Sequence, residues 1–255
     1  MSLGTFAPKG HPAVADLTGC RAAVIEAVTA FQAIHPRTLQ RALGPSEVGE
    51  ECVRQLAYKL LEHPENPARG IDPWPSFLGI AAHARLADAL DHDNTLHPGR
   101  WVTERRLRIP GIRDGGSGQS DAYFAPTFTT VDWKVLGNTT FQELANNGPG
   151  RKYRAQGHIY GLGWTAAGYR VDRVAIGAFG RAKPLSAMFV WSEPFNPAYA
   201  AAELQRVADV RAVVEWLQSR GVVSPEVIPP TPGGSCFFCE YYGNPALGFC
   251  AAEKS

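Results

Sequence analysis

The chain has 255 residues, with 25 Lys and Arg against 24 Asp and Glu, a formal net charge of +1 and 45% hydrophobic residues. This composition predicts a globular domain with a packed core and excludes wholesale disorder and a fibrous repeat. The longest apolar stretches are far shorter than the roughly 20 residues of a bilayer-spanning helix, and residues 1–16 lack the apolar segment of a secretory signal, so we expect a cytosolic protein without a membrane partner.

Five segments have the apolar periodicity of helices: residues 13–43, 46–61, 76–90, 151–167 and 197–219. Five shorter segments, rich in β-branched or aromatic residues, are predicted strands: residues 101–109, 118–125, 128–136, 171–179 and 186–191. Residues 137–150 are predicted to be a loop, and residues 221–235, rich in Pro and Gly, an extended linker to a cysteine-containing tail. The order of these elements predicts an α/β fold with a mixed central sheet flanked by helices.

A pair of carboxylates is predicted to meet on neighbouring strands. If residues 126–127 form the centre of the turn between the second and third predicted strands, paired residues have numbers that add up to 253, and Asp121 lies opposite Asp132. Lys134 then shares a face of its strand with Asp132. Such a set suits Mg²⁺ or Mn²⁺, with the lysine able to position an attacking water. A capped turn beside a surface ion pair explains the same spacing about equally well.

Three further side chains are candidates from their position on predicted helices. Gln156 and Tyr160 are four positions apart and share a helix face, which offers hydrogen-bond donors to a phosphate and an aromatic ring to a base. An amphipathic helix with Tyr160 in the core is the simpler interpretation. His83 lies among apolar neighbours and is more often a core residue than a ligand, although a neutral imidazole can complete a carboxylate metal site.

Three cysteines close to the C-terminus, Cys236, Cys239 and Cys250, have a spacing that suits soft-metal ligation. A tetrahedral site needs a fourth ligand, and Cys52 and Cys20 are the thiols that remain. Burial of Cys52 on the apolar face of its helix is a competing interpretation. Five is an odd number of cysteines, which argues against a disulfide framework and favours a reducing compartment.

Basic residues are concentrated in two places although the net charge is close to zero. The first group is Arg100, Arg105, Arg106, Arg108 and Arg113, and the second is Arg151, Lys152 and Arg154. Both groups are candidates for contacts with nucleic-acid phosphates, which carry little sequence information, and a solvated basic face is the alternative.

The order of the candidate residues resembles that of a known family, the RecB-like branch of the PD-(D/E)XK nuclease superfamily. The matching motifs, in chain order, are His83, Gly118-x-x-Asp121, Asp132-x-Lys134 and Gln156-x-x-x-Tyr160. An early Ser-x-x-x-x-x-Cys-x-Arg segment around Cys52, together with the three C-terminal cysteines, is similar to the iron-sulfur subset of this branch. That subset includes CRISPR-associated adaptation exonucleases, the AddB nuclease domain and phage exonucleases. The resemblance covers roughly residues 45–250.

This resemblance implies a metal-dependent nuclease active site. His83, Asp121 and Asp132 would bind a catalytic Mg²⁺ or Mn²⁺, with the backbone carbonyl of Trp133 as a further ligand. Lys134 would be the catalytic lysine. The implied activity is exonucleolytic hydrolysis of DNA, either single-stranded or at ends that are being resected. A DNA-binding recombination or adaptation subunit without catalysis, and an endonuclease of the same superfamily, are the alternatives.

The same resemblance assigns the remaining motifs and the domain organisation. Gln156 and Tyr160 would orient DNA near the cleaved bond. A structural 4Fe-4S cluster, with zinc as the alternative, would be held by Cys52, Cys236, Cys239 and Cys250. Residues 1–44 would be an N-terminal helical extension, residues 45–220 the nuclease core, and residues 221–255 the linker and cluster-binding tail. A recombination or CRISPR-adaptation protein is a possible partner beside DNA.

Overall fold

The computed structural model describes residues 18–35, 43–66, 72–112, 116–222 and 224–231 and, in the C-terminal tail, residues 236, 239–243, 246 and 248–251. The helices are α1 (Thr18–Ala33), α2 (Pro45–Val48), α3 (Val53–Leu60), α4 (Trp74–Leu96), α5 (Asn138–Asn147), α6 (Arg151–Ala166) and α7 (Pro197–Ser219). The strands are β1 (Trp101–Arg108), β2 (Ser117–Phe124), β3 (Thr129–Leu136), β4 (Arg173–Gly180) and β5 (Phe189–Pro194). Among the described residues, no helix has the length and apolar character needed to cross a bilayer.

The five strands form one mixed sheet in the order β1-β2-β3-β4-β5. β3 and β4 are parallel, and the other neighbouring pairs are antiparallel. The parallel pair requires a crossover connection, which α5 and α6 supply. The predicted α/β fold with a mixed sheet and flanking helices is therefore confirmed.

Two apolar cores hold helices against the sheet. On one side, α6 buries Ile159 and Trp164 against Leu107 of β1, and Val207 of α7 belongs to the same cluster. On the other side, α4 packs against residues of β2, β3 and β4, including Trp133. The central strands β2 and β3 therefore lie between α4 on one face of the sheet and α6 on the other. These helices carry the predicted site residues His83 and Gln156, respectively.

Residues 137–150 were predicted to form a loop, and this prediction is wrong, because they contain α5. The segment is rich in Asn and Thr, which favour turns, but Phe141 and Leu144 are spaced three positions apart and are both buried. They pack with Leu136 and Ile176 in a small apolar cluster. Tertiary burial thus overrides the weak helical propensity of the segment.

The predicted helix over residues 46–61 is interrupted in the structure. α2 ends at Val48 and α3 begins at Val53, with Cys52 at its N-cap position. The guanidinium of Arg206 on α7 donates to the backbone carbonyls of Val48 (2.6 Å) and Glu50 (2.8 Å). Because these carbonyls are satisfied by a side chain from a distant helix, the backbone between α2 and α3 can leave the helical path.

Other predicted bounds also change. The first predicted helix ends at Ala33 rather than at residue 43, and residues 13–17 and 36–42 lie outside the described part of the chain. The third extends over Trp74–Leu96 instead of 76–90. In the predicted extended linker, residues 223 and 232–235 lie outside the described part, but Pro225–Val227 form a 3-10 turn packed against α3. The division of the chain at residues 44 and 220 stays a prediction.

Gly49 allows α2 to lie against α6. A Cβ atom at this position would come within 2.7 Å of the Cα of Lys152 and 2.8 Å of the Cβ of Ala155. We expect Gly49→Ala to lower the free energy of unfolding by about 1–3 kcal/mol, because the two backbones must move apart. Denaturant titration measures this change.

The matched control for Gly49 is Gly79 in the interior of α4, where an added Cβ would meet nothing within 4 Å. Gly79→Ala is expected to raise the free energy of unfolding by about 0.5–1 kcal/mol, because alanine loses less backbone entropy in a helix. A Gly49→Ala variant as stable as Gly79→Ala would contradict the close approach of α2 and α6.

Candidate functional site

The predicted register of β2 and β3 is confirmed. Ala122 pairs with Val131, Tyr123 with Thr130, and Phe124 with Thr129. The turn is a 3-10 segment, Ala125–Thr127, followed by Phe128 in the left-handed region with φ 52°. The hydrogen-bonded ladder ends one position before the predicted carboxylate pair, so the two acidic residues lie where the strands begin to separate.

Where β2 and β3 separate, the side chain of Asp121, instead of a backbone carbonyl of β2, accepts a hydrogen bond from β3. Its Oδ2 atom accepts a hydrogen bond from the backbone N–H of Trp133 at 2.7 Å. Its Oδ1 atom lies 3.2 Å from Nδ1 of His83 on α4. Asp121 therefore connects β3 to α4 and orients the imidazole, and His83 joins the predicted site instead of being a solitary core residue.

Asp132 and Lys134 lie side by side on β3, as predicted. The Nζ atom of Lys134 is 2.5 Å from Oδ2 of Asp132, which is only 3% exposed. Nζ also donates to Oε1 of Gln156 at 2.9 Å and lies 4.7 Å from the ring centre of Tyr153. Two side chains of α6 thus hold the amine beside the carboxylate.

The two carboxylates have opposite pKa shifts. Burial and the charge of Asp121 raise the pKa of Asp132, and the opposing charge of Lys134 does not cancel this increase. Burial also disfavours ionised Asp121, but its contacts with His83, Lys134 and Trp133 outweigh burial and lower its pKa. The same contact with Asp121 raises the pKa of His83 against the effect of burial. Two carboxyl groups thus share a buried place where ionisation of Asp132 is disfavoured, and a bound cation would compensate for this cost.

The structure adds Glu104, a residue that the sequence analysis missed. Thr103 pairs with Ala122 and Arg105 with Ser120, so Glu104 is opposite Asp121 on β1. Its φ of 47° is unusual for a residue with a side chain. Carboxylate atoms of Glu104 and Asp121 and a ring nitrogen of His83 all lie within 4.8 Å of one another.

A signal for Glu104 was present in the sequence. In the hairpin formed by β1 and β2, the numbers of paired residues add up to 225. If the pairing of these two strands had been predicted as it was for β2 and β3, this register would have placed Glu104 opposite Asp121. The left-handed backbone at Glu104, however, has no sequence signature. It is a conformation that glycine adopts more easily, and it costs roughly 1–2 kcal/mol for other residues.

The donor set at this place fits a hard divalent cation. Carboxylate oxygens of Glu104 and Asp121 and one imidazole nitrogen converge there, and Asp132 lies close enough to interact electrostatically with Asp121 and His83. Such donors suit Mg²⁺ or Mn²⁺ better than a soft metal. The remaining predicted site residues lie nearby. The backbone N–H of Trp133 donates to Asp121 and its indole is buried, while the predicted role of its carbonyl as a metal ligand stays a prediction. Tyr160 is 6% exposed, with its ring against Gly118 in the core, and its predicted contact with DNA stays a prediction.

Three of the four predicted cysteine ligands lie at or against α3. Cys52 is at the N-cap position of this helix, and Cys239 and Cys250 are buried with Tyr58 in a common cluster. The backbone carbonyl of Cys236 accepts a hydrogen bond from the N–H of Cys239 at 3.2 Å.

The thiol of Cys239 is buried among groups that disfavour its ionisation. Burial, with smaller contributions from negative charge on Glu240, Cys250 and Cys52, raises the pKa of Cys239 to about 12. Uncharged thiols tolerate this environment, whereas several thiolates need a metal for compensation. Four cysteines are the donors that a thiolate-bound metal group needs, but among the described residues no three of their sulfur atoms lie within 4.8 Å of one another, so they do not surround a single metal ion. The predicted cluster stays a prediction, and Cys20 is exposed on α1.

Most arginines and lysines of the two basic groups form ion pairs or hydrogen bonds with other side chains of the protein. In the second group, Arg151 pairs with Glu203, Lys152 with Glu50 and Arg154 with Glu193. In the first group, Arg100 pairs with Asp93, Arg105 donates to the hydroxyl of Tyr169, and Arg106 donates to Ser117. Arg113 lies outside the described residues. Most of these positive charges are therefore engaged within the protein.

Searches of protein-family models and of curated proteins find no match to this chain. Solved structures with similar folds include an alkaline exonuclease, LHK-Exo, from Laribacter hongkongensis, with 15% identity and a TM-score of 0.48, covering 77% of this chain and 97% of that one. SSO0001 has 15% identity and a TM-score of 0.44, covering 83% and 96%. LHK-Exo in complex with dAMP has 15% identity and a TM-score of 0.42, covering 69% and 95%. Similarity of this extent carries no argument about function.

Proposed function

We propose that this protein is a metal-dependent DNA nuclease of the PD-(D/E)XK superfamily, in its RecB-like branch, that degrades DNA from single-stranded or resected ends. One observation carries the proposal. Asp121, Asp132 and Lys134 on one hairpin and His83 on α4, 38 positions before Asp121, converge where β2 and β3 separate. Packing alone does not require two buried carboxylates so close together, since such a pair is costly without a cation.

The proposed chemistry is hydrolysis of a phosphodiester bond. Asp121 and Asp132 would hold Mg²⁺ or Mn²⁺, with His83, Glu104 and the carbonyl of Trp133 as further ligands. The cation supplies positive charge that stabilises the developing charge on the phosphate and makes a water molecule more acidic.

Lys134 would act on the attacking water and the phosphate, and side chains of α6 would position Lys134 and the DNA. The ammonium group of Lys134 would hold the attacking water and stabilise negative charge on the phosphate. Gln156 keeps this amine in position through its 2.9 Å hydrogen bond. Gln156 and Tyr160 would also orient the DNA strand.

The cysteines would form a separate structural centre. Cys52, Cys236, Cys239 and Cys250 would hold a 4Fe-4S cluster, with zinc as the alternative. Hydrolysis transfers no electrons, so the cluster would stabilise the protein rather than take part in the reaction. It would connect the start of α3 to the C-terminal tail, and a reducing cytosolic compartment suits such a group.

The decisive experiment uses full-length protein purified without oxygen and supplied with Mn²⁺. Its substrates are linear single-stranded DNA, linear duplex DNA, each labelled at one end, and covalently closed circular duplex. We expect degradation of linear DNA, an intact closed circle and complete inhibition by EDTA. The product ladder reports strand polarity. Cleavage of the closed circle would identify an endonuclease instead, and retention of DNA without cleavage would identify a non-catalytic DNA-binding subunit.

Glu104 provides a finer test of the metal site. Glu104→Gln is expected to weaken Mn²⁺ binding about 10- to 100-fold, because an anionic donor becomes a neutral amide. The cleavage rate at saturating Mn²⁺ should change much less. Titration of activity and of thermal stability against Mn²⁺ measures both effects. Asp209→Asn, an exposed carboxylate on α7, is the control, and equal metal affinity in the two variants would remove Glu104 from the ligand set.

A further inference from the structure

Arg54 connects α3 to the C-terminal tail through a buried guanidinium. Its Nε atom donates to the carbonyl of Ile228 at 2.6 Å, and Nη2 donates to the carbonyl of Glu226 at 3.2 Å. Nη1 lies 3.3 Å from the carboxylate of Glu226 and donates to Sγ of Cys250 at 3.4 Å. The residue is only 9% exposed, so these contacts are largely shielded from water.

The contact with sulfur is not needed to attach the tail. Two backbone carbonyls and one carboxylate already hold the guanidinium, and Tyr58 independently donates to the carboxylate of Glu226 at 2.8 Å. A guanidinium only donates hydrogen bonds, so the sulfur of Cys250 must accept. A neutral thiol is a weak acceptor, whereas a metal-bound thiolate is a much better one. The geometry thus suits Cys250 in its metal-bound state.

We propose that Arg54 is a positioning residue for the Cys250 thiolate and raises the reduction potential of the cluster that this thiolate holds. The inference rests on the proposed iron-sulfur cluster. Hydrogen bonds to cysteine sulfur and nearby positive charge stabilise the more negative, reduced state of such clusters, and low exposure strengthens both effects. Arg54 lies on α3, and Cys52 is at the N-cap of the same helix. This short helix would therefore supply one cluster ligand, Cys52, and the guanidinium that donates to a second ligand, Cys250.

The test measures redox properties rather than cleavage. Wild type, Arg54→Gln, Arg54→Lys and Glu226→Gln are purified without oxygen, and iron and sulfide are quantified in each. The reduction potential is then determined by titration, followed by visible absorbance and electron paramagnetic resonance. We expect a lower potential in Arg54→Gln and an intermediate value in Arg54→Lys, which keeps the charge without the planar fork. Glu226→Gln removes a negative charge and should shift the potential upward.

The opposite signs separate tuning from general loosening of the tail. Loosening would move Arg54→Gln and Glu226→Gln in the same direction, and this result would overturn the proposal. A fully loaded Arg54→Gln variant with the wild-type potential would overturn it as well. Failure of both Arg54 variants to load, with normal loading of Glu226→Gln, would support the positioning role. Zinc or no metal in the wild type would instead overturn the cluster itself, whether or not the protein cleaves DNA.

Discussion

Asp132→Asn is expected to abolish both DNA cleavage and the increase in melting temperature that Mn²⁺ causes. Asp132 is 3% exposed and lies at the convergence of His83, Asp121 and Lys134. An amide of the same shape cannot supply the negative charge that holds a divalent cation. Loss of electrostatic stabilisation at a water-excluded site costs about 10²- to 10³-fold in rate, and loss of the metal adds to this cost.

Two measurements on Asp132→Asn give a sharp result. In the wild type, Mn²⁺ should raise the melting temperature, because a ligand that binds only the folded state stabilises it. In the variant, both this rise and cleavage should be absent, while the circular dichroism spectrum stays unchanged. Asp88→Asn is the control, since Asp88 is an exposed carboxylate of α4 paired with Arg85. Cleavage within tenfold of wild type in Asp132→Asn would refute the proposed site.

The sequence predicts the relative placement of Asp121, Asp132 and Lys134 because local geometry determines it. Asp121 and Asp132 are joined by a short hairpin, so one assumption about the turn defines their relative position. The structure replaces the assumed turn by a 3-10 segment and a left-handed Phe128, yet the register is unchanged. Alternation along one strand similarly suffices to place Lys134 beside Asp132.

Features that depend on distant parts of the chain are not predictable in this way. The position of Cys52 at the start of α3 depends on Arg206, which comes more than 150 residues later and binds the carbonyls before this helix. The left-handed backbone of Glu104 lies within a strand, and no local composition indicates this conformation. The contact between Arg54 and Cys250 joins residues that are 196 positions apart. In each case tertiary contacts outweigh the local preference of the backbone.

Lys134→Met is expected to separate catalysis from metal binding. The methionine keeps most of the apolar length of the side chain and removes the amine. If Lys134 positions water and stabilises charge, cleavage should fall about 10²- to 10⁴-fold, the range typical of acid-base groups. Because lysine is not a metal ligand, Mn²⁺ should still raise the melting temperature. In Asp132→Asn both cleavage and the Mn²⁺-induced rise are lost, so retention of the rise distinguishes Lys134 from Asp132.

The same variant should also change the pH dependence of metal binding. The charge of Lys134 opposes the increase in the pKa of Asp132 that burial and Asp121 cause, so removing this charge raises the pKa further. A carboxylate must lose its proton to bind Mn²⁺. A higher pKa therefore shifts the pH midpoint of the Mn²⁺-induced stabilisation upward, and metal binding weakens as the pH falls.

Gln156→Ala is the companion variant for Lys134→Met, because it frees the amine without removing its charge. Gln156 accepts the lysine hydrogen bond, while Asp132 retains its ion pair. We expect the pH midpoint of metal binding to stay near the wild-type value in Gln156→Ala, since the positive charge beside Asp132 remains. A shift as large as that of Lys134→Met would mean that α6, rather than the charge of the lysine, controls the ionisation of Asp132.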